Sequence, residues 1–451
     1  MMITSWRKRR AAKRAGKEQQ RNGNGEMELT IPRDFRCPIS LDLMSDPVTL
    51  SSGITYDRES IEKWIEAGNF TCPLTNQAMT SLEPIPNHVI RRKIQDWCVE
   101  NRSHGIERIP TPRVPISSIE VSEILSNINV ASKNQDGEVC RALVAKLKSL
   151  AKESERNKRC IATNGAASVL SKAFATFTTV SSSFDENTTV LEETLSTLIT
   201  MLPLDRDAKS YLGSVTAMHC LIWFLSSGDL SRRRNAVLAL KELVSSMEDQ
   251  RKTLNLLSEL ECAIEALFKL IKNPICPSSK KASLTIIYHT ITSSSTSSST
   301  RQKQVTKLVN LGIVPLLIET LVDAERAMCE KALGVLEGIV DSEQGREMAL
   351  DNPLTMPVLV KKILRVSNTA TEFSVAILHK LCKKEQREDG GVLVEALQVG
   401  AFQKLLLLLQ LGCVEETKER VSELLKILNL HRNKVECVDP MDNFRDLKRP
   451  F

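Results

Sequence analysis

The sequence predicts a mainly α-helical protein, with a small α+β module near the N-terminus followed by an α-solenoid. From about residue 119 to 431 apolar residues recur at i, i+3, i+4 and i+7, as in "RRRNAVLALKELVSSM" and "EKALGVLEGIVDS". A second kind of segment, a small-residue turn followed by a leucine-rich helix, returns at intervals of about 40 to 50 residues, as in "LGIVPLLIETLV" and "VGAFQKLLLLL". Such a period, with two or three helices in each unit, is typical of a solenoid.

The repeated segments also indicate what the solenoid is for. Glycine lets a short helix end and the chain turn sharply into the next helix. A single unit cannot cover its own apolar face, so stacking buries that face and leaves a long concave surface for binding. Serine- and threonine-rich insertions such as "TTVSSS" and "TSSSTSSST" lengthen some units. They are either phosphorylation sites or tolerated insertions.

The N-terminal module begins with a predicted hairpin. "VTLSSGITY", residues 48–56, holds two short β-type runs around Gly53, which can adopt the positive φ of a tight turn. Asp57 stands where a helix N-cap belongs, and Gly68 can close that helix. The apolar stripe of the helix is formed by Ile61, Trp64 and Ile65.

A second helix of the module is predicted in "IPNHVIRRKIQDWCVENR". Asn87 is its N-cap. The residues expected to face inward are Val89, Ile90, Ile94, Trp97 and Cys98.

The chain therefore divides into five parts. We expect a basic disordered tail over 1–29, the α+β module over 30–104, a proline-containing linker over 105–134, the helical repeats over 135–431 and a C-terminal tail over 432–451. The three prolines of "GIERIPTPRVPISS" favour extended backbone, which is the reason for placing the linker there.

The net charge of +6 is a property of the N-terminal tail. Residues 7–21 hold eight Lys or Arg and one Glu, so the remaining chain is close to neutral and does not indicate a nucleic-acid-binding protein. The basic run is either a nuclear import signal or a solvated tail. We expect a cytoplasmic location, with the nucleus left open.

No apolar run approaches the roughly 20 residues of a membrane span. The 12 cysteines are interpreted as reduced thiols.

"CPIS" at Cys37 and "CPLT" at Cys72 look like the start of zinc sites, but Ser40 and Thr75 stand where a second sulfur would be needed. The further candidates from 30 to 105 are Cys98, His88 and His104, whose spacing completes no tetrahedral set. We therefore expect neither metal nor cofactor.

Polar side chains are expected to hold the module together in place of metal. Hydroxyl and charged groups can tie two loops together by hydrogen bonds and ion pairs. The candidates are Ser40, Asp46, Asp57, Arg58, Glu59 and Thr75.

The motifs C-P-I-S, D-P-V, G-I-T-Y-D-R, C-P-L-T and P-N-H-V-I-R occur in this order over about 75 of the 451 residues. This segment resembles a U-box, the metal-free relative of the RING finger found in ubiquitin ligases. The helical array resembles the armadillo repeats of plant U-box/armadillo ligases, a group linked to stress and immune signalling. The resemblance implies a small α+β U-box followed by an α-solenoid of armadillo repeats.

The resemblance also implies an activity and its partners. A U-box E3 ubiquitin ligase binds a ubiquitin-conjugating enzyme (E2) charged with ubiquitin and promotes aminolysis of the thioester by a substrate lysine, without forming a thioester itself. The substrate protein would bind the armadillo groove, and a homodimer through the U-box is also compatible with the resemblance. A non-catalytic armadillo adaptor with a weakened U-box is the alternative.

Residue roles follow from the same resemblance. The E2-binding residues would be Ile39, Trp64, Pro73, Leu74 and Asn76. Ile39 and Trp64 are also compatible with ordinary core positions. The structural residues of the U-box would be Cys37, Ser40, Asp46, Asp57, Arg58, Cys72 and Thr75.

One position departs from the family pattern. Many relatives carry Arg or Lys where this chain has Asn76, and that cation bridges E2 and ubiquitin. An amide donates hydrogen bonds but has no charge, so we expect the reactive pose to be less strongly stabilised here.

Overall fold

The structure is a computed structural model, and it describes residues 31–109, 116–180, 186–245, 253–254, 257, 261–293, 298–383 and 391–431. The predicted tails 1–29 and 432–451 lie outside the described residues, as do residues 181–183 and 294–297 of the two serine- and threonine-rich insertions. The chain forms two compact units, Met1–Val114 and Pro115–Phe451.

The first unit contains a three-stranded sheet and two helices. Its elements are a 3-10 turn Arg33–Phe35, β1 Pro47–Thr49, β2 Thr55–Asp57, α1 Arg58–Glu66, β3 Ile85–Pro86, α2 His88–Glu100 and a 3-10 turn Arg102–His104. Strand β1 is central and antiparallel to both neighbours, with Val48 opposite Tyr56 on one side and Pro86 on the other. The hairpin turn at Gly53 has φ of +74°, as predicted.

The core of this unit is small and mixes aliphatic side chains with thiols. Its fully or nearly fully buried members are Cys37, Met44, Val48, Leu50, Tyr56, Ile61, Cys72, Ile94 and Cys98. Half-buried side chains, among them Ile39, Trp64 and Trp97, pack against it.

Helix α2 begins as predicted, because the Asn87 side chain accepts a hydrogen bond from the Ile90 N–H at 3.0 Å. One predicted inward residue is wrong: Val89 is 67 % exposed. The helix instead buries the stripe that contains Arg91, Ile94 and Cys98.

The second unit is a stack of helices. The first two are α3 Ser118–Lys133 and α4 Gly137–Glu153, and three-helix units follow. The first three-helix unit holds α5 Glu155–Thr163, α6 Ala166–Val180 and α7 Thr188–Thr200, and the second holds α8 Arg206–Leu212, α9 Val215–Ser227 and α10 Leu230–Val244. The described helices of the third are α11 Glu261–Lys272 and α12 Pro277–Thr292, and the fourth holds α13 Ser298–Asn310, α14 Ile313–Asp323 and α15 Arg326–Ile339. The fifth holds α16 Glu343–Leu350, α17 Thr355–Lys362 and α18 Asn368–Lys383, and the last holds α19 Gly391–Gln398, α20 Ala401–Leu411 and α21 Glu415–Leu430.

The predicted linker over 105–134 is too long. Helix α3 lies inside it, and its Val121 and Ile128 are fully buried. It packs against α4 and α6. The helical array therefore starts before residue 135, because an amphipathic helix with a buried stripe directly follows the prolines.

Corresponding helices of successive units stack into layers. Helix α4 and the third helix of each unit, α7, α10, α12, α15, α18 and α21, pack each on the next and form what we call the third-helix layer. The first and second helices of a unit meet at a sharp corner. Gly312 and Gly400 stand at two of these corners with φ of +86° and +83°, and the helices they join are bent by 72° and 66°. The expected role of glycine is therefore confirmed at these corners.

Within the described ranges no single helix is long and apolar enough to cross a membrane, although the two bent pairs at these corners reach that length and composition together.

Candidate functional site

Two ten-residue loops of the first unit share one sequence pattern. "FRCPISLDLM", residues 35–44, and "FTCPLTNQAM", residues 70–79, both read Phe-x-Cys-Pro, then Ile or Leu, then Ser or Thr, and end on Met. We call them the first and second knuckle. Their common pattern predicts a common backbone.

The backbone hydrogen bonds of the two knuckles match. The N–H of Leu41 donates to the carbonyl of Cys37 at 2.8 Å, and the N–H of Asn76 donates to the carbonyl of Cys72 at 2.8 Å. Leu41 and Asn76 occupy the same position and both have positive φ, 61° and 57°. Each loop thus closes on its own cysteine residue by backbone hydrogen bonds.

Strand β2 connects both knuckles through consecutive residues. The N–H of Asp57 donates to Sγ of Cys37 at 3.3 Å. The hydroxyl oxygen of Tyr56 lies 3.0 Å from Sγ of Cys72. Because α1 begins directly after β2, both loops are held at fixed positions relative to this helix.

The Cys72 thiol lies in an environment that favours its anion. Burial by itself would raise its pKa, but hydrogen bonds from neighbouring groups, Thr75 and Tyr56 among them, outweigh burial and lower the pKa to about 6. Burial raises the pKa of Tyr56, and the hydrogen bond to Cys72 raises it further. When the Cys72 sulfur is ionised, the Tyr56 hydroxyl keeps its proton and donates the hydrogen bond to sulfur.

Asp57 holds a different partner from the one predicted. Its carboxylate does not cap α1. Instead it accepts hydrogen bonds from the N–H of Ser45 at 2.8 Å, the hydroxyl of Ser45 at 3.1 Å and the N–H of Asp46 at 2.9 Å. The carboxylate thereby joins the residues that directly follow the first knuckle to the start of α1.

Asp46 forms a two-sided ion pair. Its carboxylate accepts from Nε of Arg58 at 2.6 Å and from the guanidinium of Arg91 on α2. All three side chains are less than one-fifth exposed. Sequence reasoning named Asp46 and Arg58 but missed Arg91, although a charged residue on the buried stripe of a helix signals an internal ion pair.

The other polar candidates act locally. The hydroxyl of Ser40 accepts from the N–H of Asp42 at 3.3 Å within the first knuckle, and Thr75 hydrogen-bonds Cys72 within the second. Glu59 pairs with Lys63 at 2.5 Å on the exposed side of α1, so its predicted role in tying the loops is wrong.

The predicted E2-binding residues lie on these loops and on α1. Ile39 and Trp64 are half-buried and pack on the core, Pro73 is half-buried, and Leu74 is 59 % exposed. Ile39 and Leu74 hold equivalent positions in the two knuckles. The indole Nε1 of Trp64 donates to the carbonyl of Thr71 at 2.9 Å, which joins α1 to the second knuckle.

Two exposed apolar residues next to this set were missed. Leu41 is 48 % exposed in the first knuckle and Phe70 is 62 % exposed in the second. The repeated knuckle pattern was the signal that could have found them, since Leu41 corresponds to Asn76.

The described residues contain no group of three or more His, Cys, Asp or Glu that could hold a metal ion. Hydrogen bonds to the two buried thiols and the ion pair of Asp46 connect the knuckles, β2, α1 and α2 of this unit.

Two knuckles held by polar contacts around a short sheet and helix, followed by stacked three-helix repeats, define a U-box joined to an armadillo-type solenoid. The sequence matches the family model of the U-box domain over residues 31–103 and that of the plant U-box protein ARM repeat region over residues 120–448. The chain therefore belongs to the plant U-box proteins with an ARM repeat region, and the resemblance seen in the sequence is confirmed.

Similar proteins span nearly the whole chain. U-box domain-containing protein 21 of Arabidopsis thaliana is 44 % identical, and U-box domain-containing protein 20 is 42 % identical, each over 94 % of both chains. E3 ubiquitin-protein ligase PUB22 of the same plant is 32 % identical over 89 % of this chain and 95 % of its own length.

Proposed function

We propose that this chain is an E3 ubiquitin ligase whose U-box binds a ubiquitin-charged E2 while its armadillo repeats recruit the substrate. Relatives that match it over most of their length carry the name E3 ubiquitin-protein ligase. The observation that carries the proposal is the pair of matching knuckles tied to β2 and α1, with Ile39 and Leu74 at equivalent positions.

The E2 would dock on the apolar side chains of the two knuckles and α1. Leu74 provides an exposed apolar contact, and Ile39 and Trp64 add half-buried ones. Leu41 extends the same surface. Apolar anchors on rigid loops are the usual source of binding energy in such contacts.

The U-box would act by orientation. Holding the E2–ubiquitin conjugate in a reactive geometry lowers the entropic barrier to attack by a substrate lysine. The two knuckle thiols are unsuited to accept ubiquitin, because Cys37 and Cys72 are fully buried. We therefore propose that neither thiol forms a covalent intermediate with ubiquitin.

A non-catalytic adaptor is the second candidate, and Asn76 is the observation that favours it. Asn76 is exposed and carries no cation at the position where many relatives have one. The adaptor would keep the armadillo repeats and lack measurable transfer.

The test is discharge of a ubiquitin-charged E2 to free lysine by the full chain, together with a Leu74→Ala variant. Because Leu74 is exposed and lies outside the packed core, the variant should remain folded and discharge should fall about tenfold. Val99→Ala is the matched control, since Val99 is an apolar side chain of α2 that is 55 % exposed. No discharge by the wild-type chain with any of a panel of E2 enzymes would favour the adaptor.

The third-helix layer offers a surface for the substrate. Tyr288 and Phe373 come from α12 and α18 and meet across α15, with ring centroids 6.1 Å apart. Nζ of Lys331 lies 5.4 Å above the Tyr288 ring. Half-exposed aromatic rings beside a lysine are typical anchors of a protein interface. Loss of substrate ubiquitination in Phe373→Ala, with E2 discharge retained, would support this surface.

A homodimer through the U-box and a location in the cytoplasm, with or without the nucleus, belong to the same proposal. Ile85 in β3 and Val89 in the first turn of α2 are both exposed apolar residues, 64 % and 67 % exposed. Sedimentation of the wild-type chain and of Val89→Glu checks the dimer.

Imaging of a chain that lacks residues 7–21 checks the location.

A further inference from the structure

A strong local positive charge lies at the turns between the second and third helices of two successive units. Residues 226–235 and 269–281 together hold seven Lys or Arg and a single acidic residue, Asp229. The first segment joins α9 to α10 and the second joins α11 to α12, and α10 packs on α12. We call this surface the basic edge; its cations are Arg232, Arg233, Arg234, Lys269, Lys272, Lys280 and Lys281.

Among the described residues, most of these cations have no acidic partner. Arg232 pairs with Glu192 of the preceding third helix at 3.3 Å. For the other six, the described part of the chain supplies no carboxylate within ion-pair distance. Glu265 lies nearby, but it pairs with Lys307 at 2.9 Å. The basic edge therefore attracts an anionic partner.

A cavity opens within the same edge. It has a volume of about 340 Å³ and lies between the end of α9, the start of α10 and α11. Its apolar lining includes Leu225, Leu230 and Leu270, and its polar lining includes Arg233, Glu265 and Lys269. Nε of Arg233 is buried and, among the described residues, has no hydrogen-bond partner. The cavity thus offers an apolar contact beside the cationic side chains of Arg233 and Lys269.

The start of α12 favours negative charge independently. Cys276 stands at its N-cap position, where Sγ lies 3.1 Å from the hydroxyl oxygen of Ser278. Burial would raise the pKa of Cys276, but hydrogen bonds from Ser278, Ser279 and Arg234 outweigh burial and lower the pKa to about 7. The start of α12 thus stabilises a negative charge on the Cys276 sulfur, which indicates a positive local potential beside the basic edge.

We propose that the basic edge is the docking site for an acidic peptide segment of the partner protein, with one apolar side chain of that segment filling the cavity between α9, α10 and α11. This inference rests on the proposed function, because it gives the chemistry of what the repeats recruit. Nucleic acid fits less well, since the lining residues include no aromatic ring on which a base could stack.

The probe is a fluorescein-labelled peptide with one leucine flanked on each side by glutamates, titrated with the full chain and followed by fluorescence anisotropy. The expected result is binding that weakens as salt is raised, because exposed charges are screened. Replacing the leucine of the peptide with serine should weaken binding about tenfold, since an apolar side chain would leave the cavity. Equal affinity for the leucine and serine peptides would overturn the cavity assignment.

Two variants of the chain test the two halves of the site. Lys269→Glu with Lys272→Glu reverses two exposed charges and should weaken peptide binding at least tenfold. Leu230→Ser changes a cavity residue that is 64 % exposed, so the fold should be retained while affinity falls. The matched controls are Lys146→Glu with Lys303→Glu, exposed lysines elsewhere in the solenoid, and Leu430→Ser, 79 % exposed on α21.

The outcomes separate this inference from the ligase proposal. Peptide binding requires neither E2 nor ubiquitin, so a chain that discharges E2 but does not bind the peptide overturns the basic edge alone. Equal loss in the control variants, or displacement of the peptide by a single-stranded oligonucleotide at lower concentration than by unlabelled peptide, would also overturn it.

Discussion

The hydroxyl oxygen of Tyr56 lies 3.0 Å from Sγ of Cys72, at the centre of the U-box core. The next residue, Asp57, donates its N–H to Sγ of Cys37. Two consecutive residues of β2 therefore hold the cysteines of two loops that are 35 positions apart in the sequence. Short polar contacts to sulfur therefore connect each knuckle to β2, and their loss should loosen one knuckle at a time.

Tyr56→Phe tests this contact directly. The ring stays in the core, but the hydroxyl is lost, and the second knuckle should be destabilised by about 1 kcal/mol. Hydrogen exchange of residues 70–79 in the full chain should become faster, while residues 35–44 change little. Tyr211→Phe, on an exposed ring of α8, is the control. Unchanged exchange in residues 70–79 would contradict the role given to Tyr56.

The stability of the U-box should rise with pH between about 6 and 9. The Cys72 pKa falls from its ordinary value of 9.0 to about 6 in the folded chain. In this window the unfolded thiol carries a proton that the folded one lacks, so stability increases with pH and the gain is lost as pH falls through 6.

The pH effect is measured by urea unfolding at both ends of that window, followed by tryptophan fluorescence, since Trp64 and Trp97 lie in the U-box. Cys72→Ser, whose hydroxyl does not titrate there, should remove the difference between the two pH values. Comparing it with the wild type cancels the signal of tryptophans elsewhere. A wild-type chain that is more stable at the acidic end would show that the sign is wrong.

Asp46→Asn should destabilise the U-box by about 3 kcal/mol, because it leaves two largely buried guanidinium groups without their carboxylate. Arg91 would lose its ion pair, and Arg58 would keep only the longer contact with Glu62 at 3.9 Å. Glu59→Gln is the control: it breaks the exposed pair with Lys63 and should cost less than about 0.5 kcal/mol. Similar unfolding midpoints for the two variants would argue against a structural role for Asp46.

Asn76→Arg should raise E2 discharge to free lysine, because it restores a cation where many relatives have one. The side chain is exposed, so an arginine has room. The positive φ of 57° suits asparagine better than arginine, and we expect a cost of about 1 kcal/mol in stability. Asn76→Gln, which is uncharged and meets similar strain, is the control. Equal discharge by the two variants would contradict the prediction that a positive charge at position 76 raises E2 discharge.

Gly334→Ala should destabilise the solenoid by about 1–3 kcal/mol through overpacking. A Cβ at this position would lie 2.8 Å from Cε2 of Tyr288 and 3.3 Å from Cζ of Phe373. Thermal unfolding followed by circular dichroism measures the loss. Adding Tyr288→Leu should recover part of it, since the ring that is struck is removed. No recovery would place the strain somewhere other than the aromatic contact.

Much of the architecture could be predicted because local rules govern it. The Asn87 cap, the turn at Gly53 and the corners at Gly312 and Gly400 each depend on residues a few positions apart. The third strand was missed because Ile85–Pro86 is two residues long and carries no alternating pattern. The predicted inward position of Val89 was wrong because Arg91, a charged residue, was not assigned to the buried stripe of α2. Its carboxylate partner Asp46 lies in the loop before β1.

The amino-acid sequence by itself determined the periodic helices, their glycine corners, the repeated knuckle pattern and the family, since each is written in residues close together or at a regular interval. Only the tertiary structure decided the partners of the polar groups. The Asp57 side chain bonds Ser45, 12 residues away, instead of capping α1. Asp46 pairs with Arg91, which lies 45 positions further along the chain. Such contacts depend on how β2, α1 and α2 are packed, because a buried charge takes whichever partner the folded chain brings within reach.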